Sequence, residues 1–316
     1  MRRSGLSPIG RLMIAPLRSG IDTLYASPAL LLVLTTLFWG GNAIAGQVAQ
    51  GHITPMQLVL FRWIAVALIM WPLFGAEVRA HWPQARPRLG RITVMAILGF
   101  TAFNILFYVA SLETSGVNIG ILQGAIPVFV LLGALLAYGT RITALQGVGV
   151  AATLAGVVLI ATAGAPLQII EIGLNRGDAI MLVACMFYAA YAVLLQTRPQ
   201  VPGVVLFTLM AGIAMITAIP PAIYEAFQPG TTWPTWEGWL ICLYVAIFPS
   251  CLSQLFFLRG VDLIGPGRAG VYTNLVPVFA SILAVGLLGQ VFAWYHALAL
   301  VLVIGGIVVA QWAARS

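Results

Sequence analysis

Lysine is absent from this sequence, and charged residues of every kind make up only 7% of its 316 positions. An ordinary soluble domain carries about a quarter, and a water-facing surface needs about a quarter to a third of its positions charged. A soluble globular fold is therefore excluded. Cysteine is scarce as well. Cys185, Cys242 and Cys251 lie inside apolar runs with no C-x-x-C or Cys/His spacing, which argues against a zinc site or a disulfide framework and leaves them as small buried hydrophobes. No H-E-x-x-H, G-x-S-x-G, paired carboxylate or Walker A loop occurs. Neither an intramembrane hydrolase nor a self-contained ATP-driven pump is indicated, and no cofactor or metal is expected.

What the chain has in abundance is apolar surface: 61% of its residues are hydrophobic and the mean hydropathy is +1.02. A helix needs about 20 mainly apolar residues to cross the hydrocarbon core. Turn signals such as Gly51-His52-Ile53-Thr54-Pro55, Tyr138-Gly139-Thr140-Arg141 and Gln228-Pro229-Gly230 cut the chain into ten such runs. They are 29–49, 56–74, 92–112, 117–138, 142–164, 179–197, 201–224, 238–258, 267–288 and 292–313. The expected fold is an all-α polytopic membrane protein of ten transmembrane helices. The preceding segment, 1–28, is basic and lacks an apolar stretch ending in a small-residue cleavage site, so the first span itself should direct insertion.

The 15 Lys-or-Arg positions are all Arg, which fits a GC-rich bacterium, and the chain's net charge of +7 marks orientation rather than a nucleic-acid partner. With the N-terminus in the cytoplasm, 13 Arg fall on that side: Arg2, Arg3, Arg11, Arg18, Arg79, Arg86, Arg88, Arg91, Arg141, Arg198, Arg259, Arg268 and Arg315. The opposite side keeps Arg176 alone. Such a bias follows the positive-inside rule, so both termini are expected in the cytoplasm of a bacterial cell bounded by this inner membrane.

The chain also repeats itself. A shift of 150 lays Ile126-Pro127-Val128-Phe129 on Val276-Pro277-Val278-Phe279, Phe107 on Phe257, Gly120 on Gly270, Gly139 on Gly289 and Gly156 on Gly306. A shift of 149 lays Phe38-Trp39-Gly40-Gly41 on Phe187-Tyr188-Ala189-Ala190 and Asn42 on Tyr191. The expected units are 29–164 and 177–313, each of five spans. Because five is odd, the second unit enters the membrane from the opposite side. Inverted repeats with a midplane site between them are a recurring plan of secondary transporters.

Polar groups within apolar spans are expensive, and so informative. The long shift relates Asn104 to Gln254 and Gln123 to Thr273, which is followed by Asn274. Packing of helix on helix explains any one of them about as well as substrate contact does, but their occurrence in both halves favours a shared cavity. Pro127 and Pro277 each lack an N–H, freeing the carbonyls of Gln123 and Thr273 and predicting kinks. Pro249 and its counterpart Gly99 are further candidate hinges. Trp39 and Asn42 lie one turn apart, as do Tyr188 and Tyr191, and Phe103, Phe107, Tyr108, Phe257 and Tyr272 could complete an aromatic wall. Trp233, Trp236 and Trp239 suit an interfacial belt, and Gly116, Gly120 and Gly124 suit close approach to a neighbouring helix.

Arg62 is the one full charge inside a span. It would cost roughly 2.5 to 3.5 kcal/mol at the bilayer centre. The favoured reading has it snorkelling or bonding helix-end carbonyls, with anchorage of a substrate carboxylate as the second reading. No span carries an interior Asp or Glu, which argues against a proton-relay carboxylate and for facilitated diffusion or weakly coupled export. His296 is the one intramembrane imidazole, more readily read as a satisfied structural residue.

The Phe38-Trp39-Gly40-Gly41-Asn42 segment, Arg62, the Pro127 and Pro277 repeats and the closing Gly-Val-Val and Gly-Ile-Val turns resemble the EamA-type drug/metabolite transporter superfamily, and within it bacterial exporters of amino acids, especially aromatic ones. The likeness runs from about Leu30 to Trp312. It implies two inverted five-helix units around a central cavity, lined by spans one, three, four, six, eight and nine, with five and ten peripheral. Mapped onto this chain, it supports Trp39, Asn42, Tyr108, Gln123, Tyr188, Tyr191, Gln254 and Asn274 as substrate-binding candidates beside Asn104 and Thr273. The expected activity is export of small amphipathic metabolites, foremost neutral and aromatic amino acids, by alternating access. A multidrug or nucleobase carrier, a non-transporting scaffold and an intramembrane enzyme are the alternatives. The expected partners are that small-molecule substrate and the lipid bilayer, with the oligomeric state left open.

Overall fold

The computed structural model describes residues 26–139, 143–168 and 175–313. Arg2, Arg3, Arg11, Arg18, Arg141 and Arg315 lie outside the described residues. All regular structure among those described is helical. The first half contains α1 (Pro28–Val48), α2 (Pro55–Ala85), α3 (Leu89–Ala96), α4 (Phe103–Ser111), α5 (Gly116–Gln123), α6 (Ile126–Tyr138) and α7 (Ala144–Ala161). The second contains α8 (Arg176–Leu194), α9 (Gly203–Ala226), α10 (Trp236–Val245), α11 (Ser253–Ile264), α12 (Pro266–Tyr272), α13 (Val276–Leu288) and α14 (Trp294–Ala313).

Local chemistry explains where these helices begin. Ser27, Ser115, Thr143, Asn175 and Thr235 each accept a backbone N–H in the first turn of the helix they precede, satisfying donors that have no partner within the helix. At Thr143 the cap is reciprocal, because Gln146 reaches back to the Thr143 N–H. Thr54 caps differently. Its hydroxyl donates to Glu225 of α9, whose Oε2 also accepts from the N–H groups of Met56 and Gln57 at 3.0 Å each. A carboxylate from one half thus closes the positive end of a helix in the other. Glu225→Ala is expected to lower the thermal unfolding midpoint in detergent, costing about 1.5 to 3 kcal/mol, with Glu225→Gln recovering part of the loss; an unchanged midpoint for both variants would refute the cap.

Nine helical runs among the described residues are long and apolar enough to cross a membrane, one fewer than the ten spans. The difference lies in spans two and three, which share one run of 57 residues, Pro55–Ser111. A straight helix of that size would extend about 85 Å, far beyond the hydrocarbon core of about 30 Å. It instead turns back at the 3₁₀ segment Arg86–Arg88, which contains Pro87. The indole of Trp63 lies flat on the ring of Phe100, 4.7 Å between centroids, and donates to the Phe100 carbonyl at 3.3 Å. The run therefore makes two crossings without a helix-free loop.

Equivalent helices of the two halves meet and run in opposite directions. A Cβ on Gly149 of α7 would lie 2.8 Å from the Ala310 amide of α14, and one on Gly156 would lie 2.9 Å from the Ala299 carbonyl. The start of α2 meets the end of α9 at Glu225, while Trp71 packs over Gly212 in the middle of α9. Fifth spans and second spans are both antiparallel pairs, as an inverted repeat requires. Elsewhere each half grips the other: α1 packs on α11 and α13, and α8 on α4 and α6. The glycine stripe of α5 faces Ala284 from Gly116, Ala280 from Gly120 and Val303 from Gly124.

Candidate functional site

Spans three and eight depart from α-helical geometry at the same repeat position. Ile97–Ala102 and Ala246–Leu252 are π-helical turns. The Phe103 N–H reaches back five residues to the Leu98 carbonyl, and the Ser253 N–H likewise reaches Phe248. The candidate hinges Gly99 and Pro249 sit inside these turns. Pro249 withdraws the N–H that would serve Val245, and the Ser250 hydroxyl donates to that carbonyl at 2.6 Å. On the other side the Tyr191 ring lies so close to Gly99 that a Cβ there would be 2.7 Å from its Cδ1.

Spans four and nine are broken rather than kinked. Gly124 and Ala125 separate α5 from α6, and the 3₁₀ turn Thr273–Leu275 separates α12 from α13. Pro127 and Pro277 stand at the start of the second segment in each case, where a missing N–H costs least. The expectation that Pro277 frees the Thr273 carbonyl is corrected: that oxygen accepts the N–H of Val276 in the 3₁₀ turn.

A central cavity lies where these two breaks and two π turns converge, with about 1020 Å³ of empty space including its open mouth. Of the substrate-binding candidates, Trp39, Asn42, Asn104, Gln123, Tyr188, Gln254, Thr273 and Asn274 line it, as do the hinge candidates Gly99, Pro127, Pro249 and Pro277. Tyr108 and Tyr191 do not. Tyr108 is buried behind the wall with its hydroxyl on Asn42, and Tyr191 fills the space between Gly99 and Phe100. Arg62 and Trp63 of span two, Phe207 of span seven and Ile307 of span ten also reach the cavity, so its walls extend beyond the six spans expected.

Rings form much of the wall. Trp39 packs on Phe257 with centroids 5.5 Å apart and donates to the Pro249 carbonyl at 3.2 Å. Phe103 packs on Tyr188 at 5.0 Å and on Phe107 at 5.8 Å. The same wall contains Asn274, 6% exposed, with neither amide atom hydrogen-bonded among the described residues. Gln254 makes no hydrogen bond among the described residues.

The preferred reading of Arg62 is overturned. The side chain is 5% exposed, and its hydrogen bonds go to side chains inside the bundle and not to helix-end carbonyls. Its Nε donates to Ser250 Oγ at 2.7 Å, and its Nη1 donates to Asn104 Oδ1 at 2.6 Å, Tyr108 Oη at 2.9 Å and Asn42 Oδ1 at 3.4 Å. These partners come from spans eight, three and one, which explains why the arginine's own helix gave no sign of them. Every acceptor is neutral. Trp63 lies under the guanidinium, 5.3 Å from Cζ to the ring centroid.

A second hollow shares Ile126, Pro127, Thr273 and Ile307 with the cavity and continues past Gln146, Gln196 and Gln311. The Arg91 guanidinium bonds the Thr197 carbonyl beside Gln196, which puts this hollow at the arginine-rich end of the bundle. The opposite end is tied by side chains. Gln47 donates to the carbonyls of Ser111 and Thr114 at 2.8 Å each, and Gln290 donates to Gln47. Asp178, 1% exposed, accepts from Thr114 and Asn118. His296 takes the Ala293 N–H on Nδ1 and so presents Nε2–H to Asn118 Oδ1 at 3.2 Å. Asp178 lies in the first turn of its span and is buried in the bundle.

Two antiparallel five-span halves enclosing a partly polar cavity, with broken and π-bulged helices at its wall, define a polytopic membrane protein of the secondary-transporter type. The EamA-like transporter family matches residues 26–162 and again 175–311. The chain belongs to that family. It is similar to the uncharacterized transporter YyaM of Bacillus subtilis, 23% identical over 90% of this chain and 94% of that one. It is also similar to a probable terminal-alkyne amino-acid exporter of Streptantibioticus cattleyicolor, 23% identical over 82% and 85% of the two chains. A solved crystal structure 20% identical in sequence superposes with a TM-score of 0.63 over 92% of this chain and 98% of the other, a likeness of fold alone.

Proposed function

We propose that this transporter exports small amphipathic metabolites, foremost neutral and aromatic amino acids, from the cytoplasm across a bacterial inner membrane. The carrying observation is the composition of the cavity wall: packed aromatic rings together with a buried amide, Asn274, that has no hydrogen-bond partner among the described residues. Leaving such a group unpaired costs about 1 to 3 kcal/mol, and the polar end of a bound solute would remove that cost while its apolar end lay on the rings. The residues proposed to bind it are Trp39, Asn42, Asn104, Gln123, Tyr188, Gln254, Thr273 and Asn274, with Tyr108 and Tyr191 supporting them from behind. The halves at 29–164 and 177–313 would exchange shapes about Gly99, Pro127, Pro249 and Pro277, converting an opening at one face into an opening at the other. The arginine bias places both termini and the second hollow on the cytoplasmic side in this reading, and the name of the S. cattleyicolor relative supports the substrate class.

Counterflow in proteoliposomes is the test. Labelled phenylalanine, tryptophan and leucine are expected to accumulate when the vesicles are preloaded with the same solute. Gln254→Ala and Asn42→Ala are expected to reduce that flux about ten-fold at unchanged folded yield. Movement of nucleobases or dyes with no amino-acid counterflow would replace this reading with that of a nucleobase or multidrug carrier, and no flux of any solute would reject transport of this class.

A further inference from the structure

We infer that Arg62 is a carboxylate-binding site in the central cavity, and that the transported solute must carry a carboxylate to occupy it. This rests on the proposed amino-acid export and deepens it by naming the group the cavity selects. The guanidinium is fixed before any ligand arrives. Nε and Nη1 are committed to Ser250, Asn104, Tyr108 and Asn42, and Trp63 supports one face. Nη2 makes no hydrogen bond among the described residues and is not sealed from the cavity that Arg62 lines.

Charge balance points the same way. A buried arginine is ordinarily paired, because taking a charge out of water is costly and a carboxylate offsets that cost. Among the described residues no carboxylate lies within ion-pair distance of Arg62. The four acceptors orient the guanidinium without neutralising it, so the negative charge that completes the site has to come with the ligand. The free Nη2 of a fixed guanidinium can give a carboxylate oxygen a charge-assisted hydrogen bond that no neutral group matches in strength. The same positive charge repels lipophilic cations and gives no preference to neutral nucleobases. Gln254, which lines the cavity and is not hydrogen-bonded among the described residues, is the available side chain for an ammonium group on the same solute.

The test compares matched solutes in proteoliposomes of the full chain. Competitors of labelled phenylalanine counterflow would be phenylalanine, phenylalaninamide, which lacks the carboxylate, and 3-phenylpropionate, which lacks the ammonium. The wild type is expected to discriminate against the amide roughly 100-fold, as a site built to bond a charged group rejects an analogue without it, and to retain measurable affinity for phenylpropionate. Arg62→Gln is expected to abolish the preference for acid over amide, and Arg62→Lys to keep it at reduced affinity. The wild-type comparison stands even if the variants fail to fold. Equal competition by phenylalanine and its amide would overturn the carboxylate site while leaving amino-acid export intact. Movement of carboxylates without an amino group, but of no amino acid, would support the site and overturn the export reading. Movement of neutral or cationic solutes alone, or of none, would overturn both.

Discussion

Gly40→Val is expected to cut transport at least about ten-fold and to lower folded yield, because α1 has no room to accept a side chain at that point. A Cβ on Gly40 would stand 2.8 Å from the Ala280 amide nitrogen and 3.2 Å from the Phe279 carbonyl carbon. These are backbone atoms, which cannot rotate aside as a flexible side chain would. Ala280 is fully buried and packs on Gly120 of α5 from its other side. Three helices from both halves therefore cross at one alanine. Overpacking in a filled interior costs about 1 to 3 kcal/mol, and relieving it here requires α1 and α13 to move apart. Trp39 and Asn42 flank Gly40 and line the cavity, so splaying α1 displaces them. A misplacement of about 1 Å costs an enzyme roughly 100-fold, and a binding wall is subject to the same geometric demand. The control is Gly305→Ala in α14, where among the described residues nothing lies within 4 Å of the added carbon. That substitution should be neutral or slightly stabilising, since alanine loses less chain entropy on folding. Flux and melting temperature measured side by side would decide it: equal behaviour of the two variants would mean that the crossing is looser than its geometry.

What could be read from the sequence and what could not divide along the range of the interactions. The spans were legible because hydrocarbon imposes a length and a composition on every crossing. The inverted repeat was legible because prolines and glycines recur at a fixed shift and an odd number of crossings fixes the rest. The boundary that vanished, between spans two and three, did so because Pro83 and Pro87 bend a continuous helical run where a loop was expected. Pro127 and Pro277 announced irregular backbone, yet whether a proline bends a helix or starts a new one depends on the two or three residues before it.

Arg62 marks the limit most clearly. Its own helix offers no acid at i±3 or i±4, and on that ground a path to the membrane surface is the natural expectation. Asn42, Asn104, Tyr108 and Ser250 stand 20, 42, 46 and 188 residues away in sequence. Only the packing of spans one, three and eight assembles them into a cradle. Asn42 and Asn104 stood out in the sequence as polar groups in apolar spans, but nothing there said that they share an arginine. Ser250 gave no signal at all, since a serine after a proline in a helix reads as a local back-bond, and here it serves Val245 and Arg62 together.

Asp178→Ala is expected to open the end of the bundle opposite the arginine-rich face. In the wild type, Asp178 Oδ2 accepts from Asn118 Nδ2 at 3.1 Å, Oδ1 accepts from the Thr114 hydroxyl, and Asn118 Oδ1 accepts from His296 at 3.2 Å. Thr114 and Asn118 belong to the first half, and Asp178 and His296 to the second. These bonds therefore tie the halves together at the end where Gln47 and Gln290 also bridge them, while the cavity continues into the hollow at the other end. Hydrogen bonds to a charged group contribute about 1.5 to 3 kcal/mol. Removing the carboxylate also takes the acceptor from the Thr114 hydroxyl and leaves Asn118 Nδ2 with Thr114 Oγ1 alone, at 3.2 Å, a cost borne by the shut arrangement and relieved when that end parts and water reaches them. A bias of about 1.4 kcal/mol shifts a two-state equilibrium ten-fold, so a ten- to hundred-fold shift is the expected scale. The readout is the rate at which a membrane-impermeant maleimide, applied to the face opposite the arginine-rich one, modifies Gln254→Cys in a background lacking Cys185, Cys242 and Cys251. That rate should rise about ten-fold or more with Asp178→Ala and less with Asp178→Asn, whose amide oxygen can still accept from Asn118. Unchanged labelling together with unchanged counterflow would assign the network to packing and leave closure of this end to the helices alone.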